Sequence, residues 1–190
     1  MLKFQVRLIP LASWQTLGVQ VMSERQFRGA ALIALVVIPA AAVLFWFFTC
    51  PCDRTPGGYL LGTEAEERVA DWSFANDVTL CQIQISAGLL PHSINLNCMS
   101  TSAGNLYLSC SQCESKRWSN AVLTDSSARL RLNDTVYPVN LTRVTDPSEL
   151  DRAWGARVTK LNTLSAPATA PPPIDTSRPD HWWSFRVVSR

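Results

Sequence analysis

The chain has 190 residues, a formal net charge of +2, and 17% charged residues against 47% apolar ones. That balance is wrong for a disordered chain, and the net charge is too small for a dedicated nucleic-acid binder, so no nucleic acid is expected as a partner. The length admits one or two domains, and much of the apolar content sits in one block near the N-terminus.

From Gly29 to Cys52 no residue is charged, and residues 29–49 read GAALIALVVIPAAAVLFWFFT. A run of this length matches the ~20 residues that a helix needs to cross a ~30 Å hydrocarbon core. A helix is the one single-segment structure that satisfies its own backbone there, and Pro39 is tolerated in such a span. Phe45, Trp46, Phe47 and Phe48 crowd its C-terminal end, as interfacial anchors do. Residues 1–28 carry a net charge of +3, from Lys3, Arg7, Arg25 and Arg28 against Glu24, whereas residues 29–190 hold 13 basic and 14 acidic groups. Positive-inside logic therefore expects residues 1–28 in the cytoplasm, a transmembrane helix over 29–50, and a periplasmic or extracellular domain over 53–190. The localisation expected is a single pass through an inner or plasma membrane, with the lipid bilayer as a partner. The run is longer than a signal-peptide core and ends in bulky aromatics, which favours an uncleaved anchor over a cleaved signal or a lipoprotein signal. Met22, just before Ser23-Glu-Arg-Gln-Phe-Arg-Gly29, is a second natural start of translation.

Six cysteines, Cys50, Cys52, Cys81, Cys98, Cys110 and Cys113, lie at or beyond the outer end of this span. An even number in an oxidising compartment points to disulfides, and six allow 15 pairings. Cys110-Ser-Gln-Cys113 has three readings: a structural disulfide, a redox pair, or half of a zinc site with Cys50 and Cys52. A thioredoxin-type pair wants a βαβ setting that this stretch lacks, and Cys50-Pro-Cys52 is poorly placed for zinc, so disulfides are expected and no metal. Covalent haem is excluded as a simple motif, because residue 114 is Glu.

In the outer domain, residues 53–62 read as a tether with Pro56, Gly57 and Gly58, and Glu64–Asp71 as a short helical turn. Val78–Ser86 alternates as a half-buried strand. Ser93–Met99 alternates more strictly, with Ile94, Leu96 and Cys98 on one face. The turn Ser102-Ala-Gly-Asn105 returns it through Leu106–Cys110 as a hairpin. Ser119 is a good N-cap for a short helix over Asn120–Thr124. Ala128–Leu132 and Thr135–Val144 form a second hairpin across Asn133-Asp134, with Pro138 demoting its stretch to an edge or a bulge. Asp146-Pro-Ser-Glu149 opens a helix to about Leu161, its apolar face made by Leu150, Trp154, Val158 and Leu161. Leu164–Pro179 reads as an extended, unpacked connection, and His181–Arg190 as a closing strand. The order predicts a mainly β, α+β domain, a small antiparallel barrel with two helices.

The run Asn105-Leu-Tyr-Leu-Ser-Cys110, Ser115-Lys-Arg-Trp-Ser-Asn-Ala121, Arg129-Leu-Arg-Leu-Asn133 and Val136-Tyr-Pro-Val-Asn-Leu-Thr-Arg-Val144 resembles the flavin-binding split-barrel superfamily. That group includes pyridoxamine-phosphate-oxidase-like proteins and deazaflavin-dependent nitroreductases. The resemblance covers roughly residues 78–190 and rests on element order and a few residue types. It implies a split β-barrel and a site for FMN or a deazaflavin, with the cofactor phosphate at the basic loop. Lys116 and Arg117 offer charge there, and the helix start at Ser119 adds free backbone N–H groups. Ser109 and Ser111 offer hydroxyls, and Trp118 a wall for a ring. The alternative for these residues is a solvated basic turn with Trp118 in the core.

No catalytic constellation stands out, so catalytic residues are left unassigned. His92 and His181 lack metal-binding spacing, no Gly-x-Ser-x-Gly elbow occurs, and Ser93 points to the strand face opposite His92. Asp53, Glu64, Glu66, Glu67 and Asp71 read as a solvated acidic tether. Two functions follow. One is a membrane-anchored split-barrel protein binding a flavin or deazaflavin for redox chemistry. The other is a cofactor-free, disulfide-stabilised module of a membrane complex, for which Trp182-Trp183 offers a surface to a membrane-protein partner.

Overall fold

The computed structural model describes residues 24–49, 51 and 55–190. By packing, the chain divides into residues up to Ala41 and a compact unit from Ala42 to Arg190. The first helix, α1 (Glu24–Phe48), includes Pro39 and contains an 18-residue apolar stretch, Ala31–Phe48, long and apolar enough to cross a membrane. Cys50, Cys52 and Asp53 lie outside the described residues.

The larger unit is built on one antiparallel sheet. Its strands are β1 (Thr63–Glu64), β2 (Cys81–Ser86), β3 (Pro91–Leu96), β4 (Cys98–Ser100), β5 (Leu106–Ser111), β6 (Ser127–Leu132), β7 (Thr135–Arg143) and β8 (Trp182–Ser189). They are ordered β3-β2-β6-β7-β8-β5-β4, and the two-residue β1 runs parallel to β7. The strands at the two ends of this path, β3 and β4, are consecutive in the chain and separated by Asn97 alone. A chain advances at most ~3.6 Å per residue, so the two ends of the sheet must meet. The sheet is therefore curled, an antiparallel half-barrel, and the expected small barrel with two helices is what forms. Those helices are α2 (Arg117–Thr124) and α3 (Pro147–Thr163).

Burial explains the curl. Cys81, Ile83 and Ile85 alternate inward on β2, Ala128, Leu130 and Leu132 on β6, and Val139 and Leu141 on β7. With Phe185 and Val187 of β8 and with Trp118 and Val122 of α2, they form one apolar core. A disulfide joins Cys81 of β2 to Cys98 of β4, Cα atoms 5.9 Å apart, and so clasps one end strand to the strand beside the other end. The second disulfide, Cys110–Cys113, ties the end of β5 to the turn that leads into α2.

Several expectations change. Ser93–Met99 is two strands, because Asn97 breaks the ladder where the chain leaves β2 for β5. Residues 55–62 are packed rather than a loose tether. Leu60 is fully buried, Gly57 bridges to Ser93, and a Cβ on Gly58 would collide with the carbonyls of Trp46 and Phe47. Glu64–Asp71 forms no helix; Glu64 ends β1 and its carboxylate pairs with Arg129. The short helix starts at Arg117 with Lys116 as N-cap, and Ser119 lies inside it. Pro138 stands on a strand flanked by β6 and β8, not at an edge. Its carbonyl accepts from Arg190 N at 2.9 Å, just past the end of β8. One residue's N–H and C=O project to the same side of a strand, so the missing donor faces Arg190 and the ladder to β6 stays intact. Leu164–Pro179 has no regular structure but is pinned, for Thr176 O accepts from Trp154 Nε1 at 2.7 Å and Pro172 O from Asn162 Nδ2 at 3.0 Å.

The N-terminus of α3 follows its sequence signal: Asp146 accepts from Glu149 N at 2.8 Å, with Pro147 at the first helical position. Its buried face differs from expectation, because it carries Glu149, Arg157 and Lys160 beside Ala153, Trp154, Val158 and Leu161. Glu149 accepts from Tyr107 Oη at 2.9 Å and from Arg186 Nε at 2.6 Å. Lys160 Nζ donates to Cys98 O at 2.6 Å and Ala75 O at 2.7 Å, pinning the strand that Cys98 opens.

Two outcomes follow for stability. Replacing Cys81 and Cys98 together by Ser lowers unfolding free energy by about 3 kcal/mol, the loop-closure value for a loop of this size, as denaturant titration will read. Burial depresses the Lys160 pKa from 10.5 to about 8, against the opposing field of Asp77. Between those two values the unfolded chain binds the proton that the folded chain has lost, so stability rises with pH from about 8 to about 10.5. The slope approaches about 1.4 kcal/mol per pH unit, and denaturant titrations of Lys160→Met across this window will lack it.

Candidate functional site

A cleft of about 750 Å³ opens where the two ends of the sheet meet. One side is His92 and Leu96 of β3 with Asn97; another is the end of β5, Ser109 to Ser111. The start of α2, Lys116 to Trp118, borders it, and Arg157 of α3 and Trp182 of β8 complete it. This volume lies within the range of small-molecule sites. Among the described residues no Asp or Glu lines it, whereas Lys116, Arg117 and Arg157 do. Its electrostatic character is therefore cationic, and its complement is an anion.

Of the six residues expected to hold a cofactor, five border this cleft: Ser109, Ser111, Lys116, Arg117 and Trp118. They converge because β5 ends at Ser111 and the Cys110–Cys113 disulfide turns the chain straight into α2. Ser119 is not among the lining residues. It is wholly buried, and its hydroxyl is directed to Cys113 O and, at 3.0 Å, to Lys116 O. That hydroxyl holds the turn that presents Lys116 and Arg117.

The individual groups differ in what they have free. The Lys116 ammonium is exposed and makes no hydrogen bond or ion pair among the described residues. The Arg117 guanidinium donates through Nη2 to Ala87 O, which fixes one of its donors and leaves the others. Ser109 Oγ shares a 2.9 Å hydrogen bond with Ser184 Oγ, so its hydroxyl is partly committed to the β5–β8 pairing. Trp118 is 4% exposed and packs on Phe185 with ring centroids 5.1 Å apart. It is a core residue with an edge on the cleft, which combines the two readings open for it.

His92 lies on the lining, with its pKa lowered first by burial and second by the positive charge of Arg117. A neutral imidazole follows at neutral pH, able to donate from one ring nitrogen and accept at the other. Three contributors were not legible as site residues: His92, Asn97 and Arg157. The available signal for Arg157 was its spacing, three after Trp154 and four before Leu161, which sets a cation on the apolar stripe of α3.

Cys110 and Cys113 are bonded to each other, as the disulfide reading expects, and Cys110 lines the cleft. Among the described residues no group of three His, Cys, Asp or Glu is arranged to hold a metal. Trp182 and Trp183 are engaged within the unit. Arg157 lies over the Trp182 ring at 4.5 Å and Arg143 over the Trp183 ring at 3.5 Å.

No family model and no curated protein matches the chain. Solved structures do. A candidate pyridoxamine 5′-phosphate oxidase from Listeria innocua aligns at 10% identity and TM-score 0.45, over 61% of this chain and 87% of that one. A conserved hypothetical protein from Mycobacterium tuberculosis aligns at 17% identity and TM-score 0.44, over 67% and 86%. A pyridoxamine 5′-phosphate oxidase-related, FMN-binding protein from Nostoc punctiforme aligns at 14% identity and TM-score 0.36, over 58% and 70%. Likeness at this level leaves function to the chemistry of the cleft itself.

The His92 environment has a measurable consequence. Arg117→Ala removes the smaller of its two perturbations, so an NMR titration will show the imidazole pKa rising yet staying below 6.5, because burial remains. An unchanged pKa means that Arg117 does not act on the cleft.

Proposed function

We propose that residues 53–190 bind a phosphate-bearing ring cofactor of the flavin or deazaflavin class, with α1 as a membrane anchor that holds the domain outside the cytoplasm. The observation that supports this reading is a cleft of about 750 Å³ lined by Lys116, Arg117 and Trp118 and, among the described residues, by no carboxylate. The residues present fit such a group. Lys116 carries an ammonium uncommitted among the described residues and Arg117 a guanidinium with donors to spare, the donor set that a phosphate needs. Ser111 adds a hydroxyl, and the first turn of α2 adds backbone N–H groups with no partner inside the helix.

A bound flavin-type ring supplies hydride or electron transfer. The chain's own residues bind and orient. Lys116 and Arg117 neutralise the phosphate, and the Cys110–Cys113 bond together with Ser119 keeps their backbone in place. His92, neutral and half-buried beside Arg117, is positioned to donate or accept one hydrogen bond within the cleft. Arg117 and His92 are coupled, so an anion beside them favours the imidazolium and draws a proton into the site.

The test uses the full chain in detergent, offered FMN or a deazaflavin phosphate and followed by visible absorption. Binding is expected, weaker by about tenfold or more when Lys116 and Arg117 are both Ala, with a smaller salt dependence. A folded chain that takes up neither compound overturns the reading.

A further inference from the structure

Arg157 and Lys160 are buried cations one turn apart on α3, and they are treated differently. Lys160, 2% exposed, spends its ammonium on the carbonyls of Ala75 and Cys98. Arg157, 7% exposed, makes no hydrogen bond and no ion pair among the described residues; its one contact of note is the face of Trp182 at 4.5 Å. Its pKa is lowered to about 10 by burial alone, with no carboxylate acting to hold it up, so it remains charged at neutral pH. Stacking on an aromatic face satisfies the charge in part but none of the five N–H donors of a guanidinium. Burying a cation without a partner is costly, and side chains in that position are paired in most proteins.

Arg157 lines the cleft, and so does Asn97, which is also buried and whose Oδ1 has no hydrogen-bond partner. Asn97 Nδ2 is directed to Thr169 Oγ1 at 3.4 Å, which leaves the oxygen as the unsatisfied end. The Asn97 oxygen is fully enclosed, out of reach of a ligand in the open cleft, so the unmet hydrogen bonds that face the cavity are those of the Arg157 guanidinium.

We propose that Arg157 is a ligand-binding residue, an oxyanion receptor in the wall of the cleft separate from the Lys116–Arg117 loop. The proposal deepens the cofactor reading and rests on its assignment of the cleft. It specifies a ligand with a second acidic or carbonyl oxygen besides its phosphate. A guanidinium suits that oxygen because its forked donors match the two oxygens of a phosphate or carboxylate.

The test separates this receptor from the basic loop by working in the full chain with Lys116→Ala and Arg117→Ala. Inorganic phosphate and malonate are titrated at constant ionic strength, with chloride as the control, and tryptophan emission and thermal midpoint are read. Trp182 lies against Arg157, so an anion held there is expected to change the emission and raise the midpoint. Response to phosphate alone assigns a phosphoryl group, and response to malonate alone a carboxylate. Adding Arg157→Met, which keeps the apolar stem, is expected to weaken the response about tenfold or more, and Arg157→Lys less, since a point charge remains. Should the Met variant fail to fold, the Lys variant still decides: equal affinity with Arg157 intact overturns the proposal. So does absence of any response in the parent. A flavin band retained at full affinity in Arg157→Met would remove Arg157 from the site while leaving the cofactor reading standing. A missing flavin band with an intact phosphate response does the reverse.

Discussion

Asn97 is the residue on which the architecture turns. It is the whole connection between strands that stand at opposite ends of the hydrogen-bonded path, so the sheet has to bend until its ends meet. The Cys81–Cys98 bond reinforces that closure from inside, and Lys160 reaches the carbonyl of Cys98 from α3. A seam made by changing partner in mid-strand cannot be paired as fully as a regular ladder. Its backbone leaves space beside it, and the cleft lies there. The closure that completes the core thus also creates the binding space.

Charge is distributed along α3 in a way that joins fold to site. Glu149 near its start holds Tyr107 and Arg186, Lys160 near its end holds two carbonyls, and Arg157 between them has no hydrogen-bond or ion-pair partner among the described residues. Burial alone raises the Glu149 pKa, but the hydrogen bond from Arg186 and the tyrosine hydroxyl outweigh it and hold the carboxyl below its usual value. Glu149 and Lys160 are structural pairings, fully answered within the unit. Arg157 breaks the pattern, and it does so on the wall of the cationic cleft.

The Cys110–Cys113 bond encloses too short a loop to restrict the unfolded chain much, so its importance is local geometry. It turns β5 sharply into α2, with Gln112 in the left-handed region at φ 52°, and the same turn is held by Ser119. The consequence is that Lys116 and Arg117 follow immediately on Ser109 and Ser111 in space as in sequence.

What the sequence determined by itself is the part encoded in local periodicity and turn chemistry. The apolar run of α1, the alternation of β2, the Asn133-Asp134 hairpin, the Asp146–Pro147 helix start and the loop Ser109–Trp118 as one neighbourhood were all legible, because each depends on residues close together in the chain. Only the tertiary structure decided the rest. Asn97 as a break, Pro138 in an interior strand and the packing of Gly57 to Leu60 depend on which distant strand lies alongside. The helical turn expected at Glu64–Asp71 gave way to a β1–β7 pairing and to the Arg129 ion pair. Arg157 and Lys160 were hidden for a related reason. Charge in a sequence reads as solvent-facing, and whether a buried cation meets two carbonyls or an open cleft is fixed by elements distant in the chain.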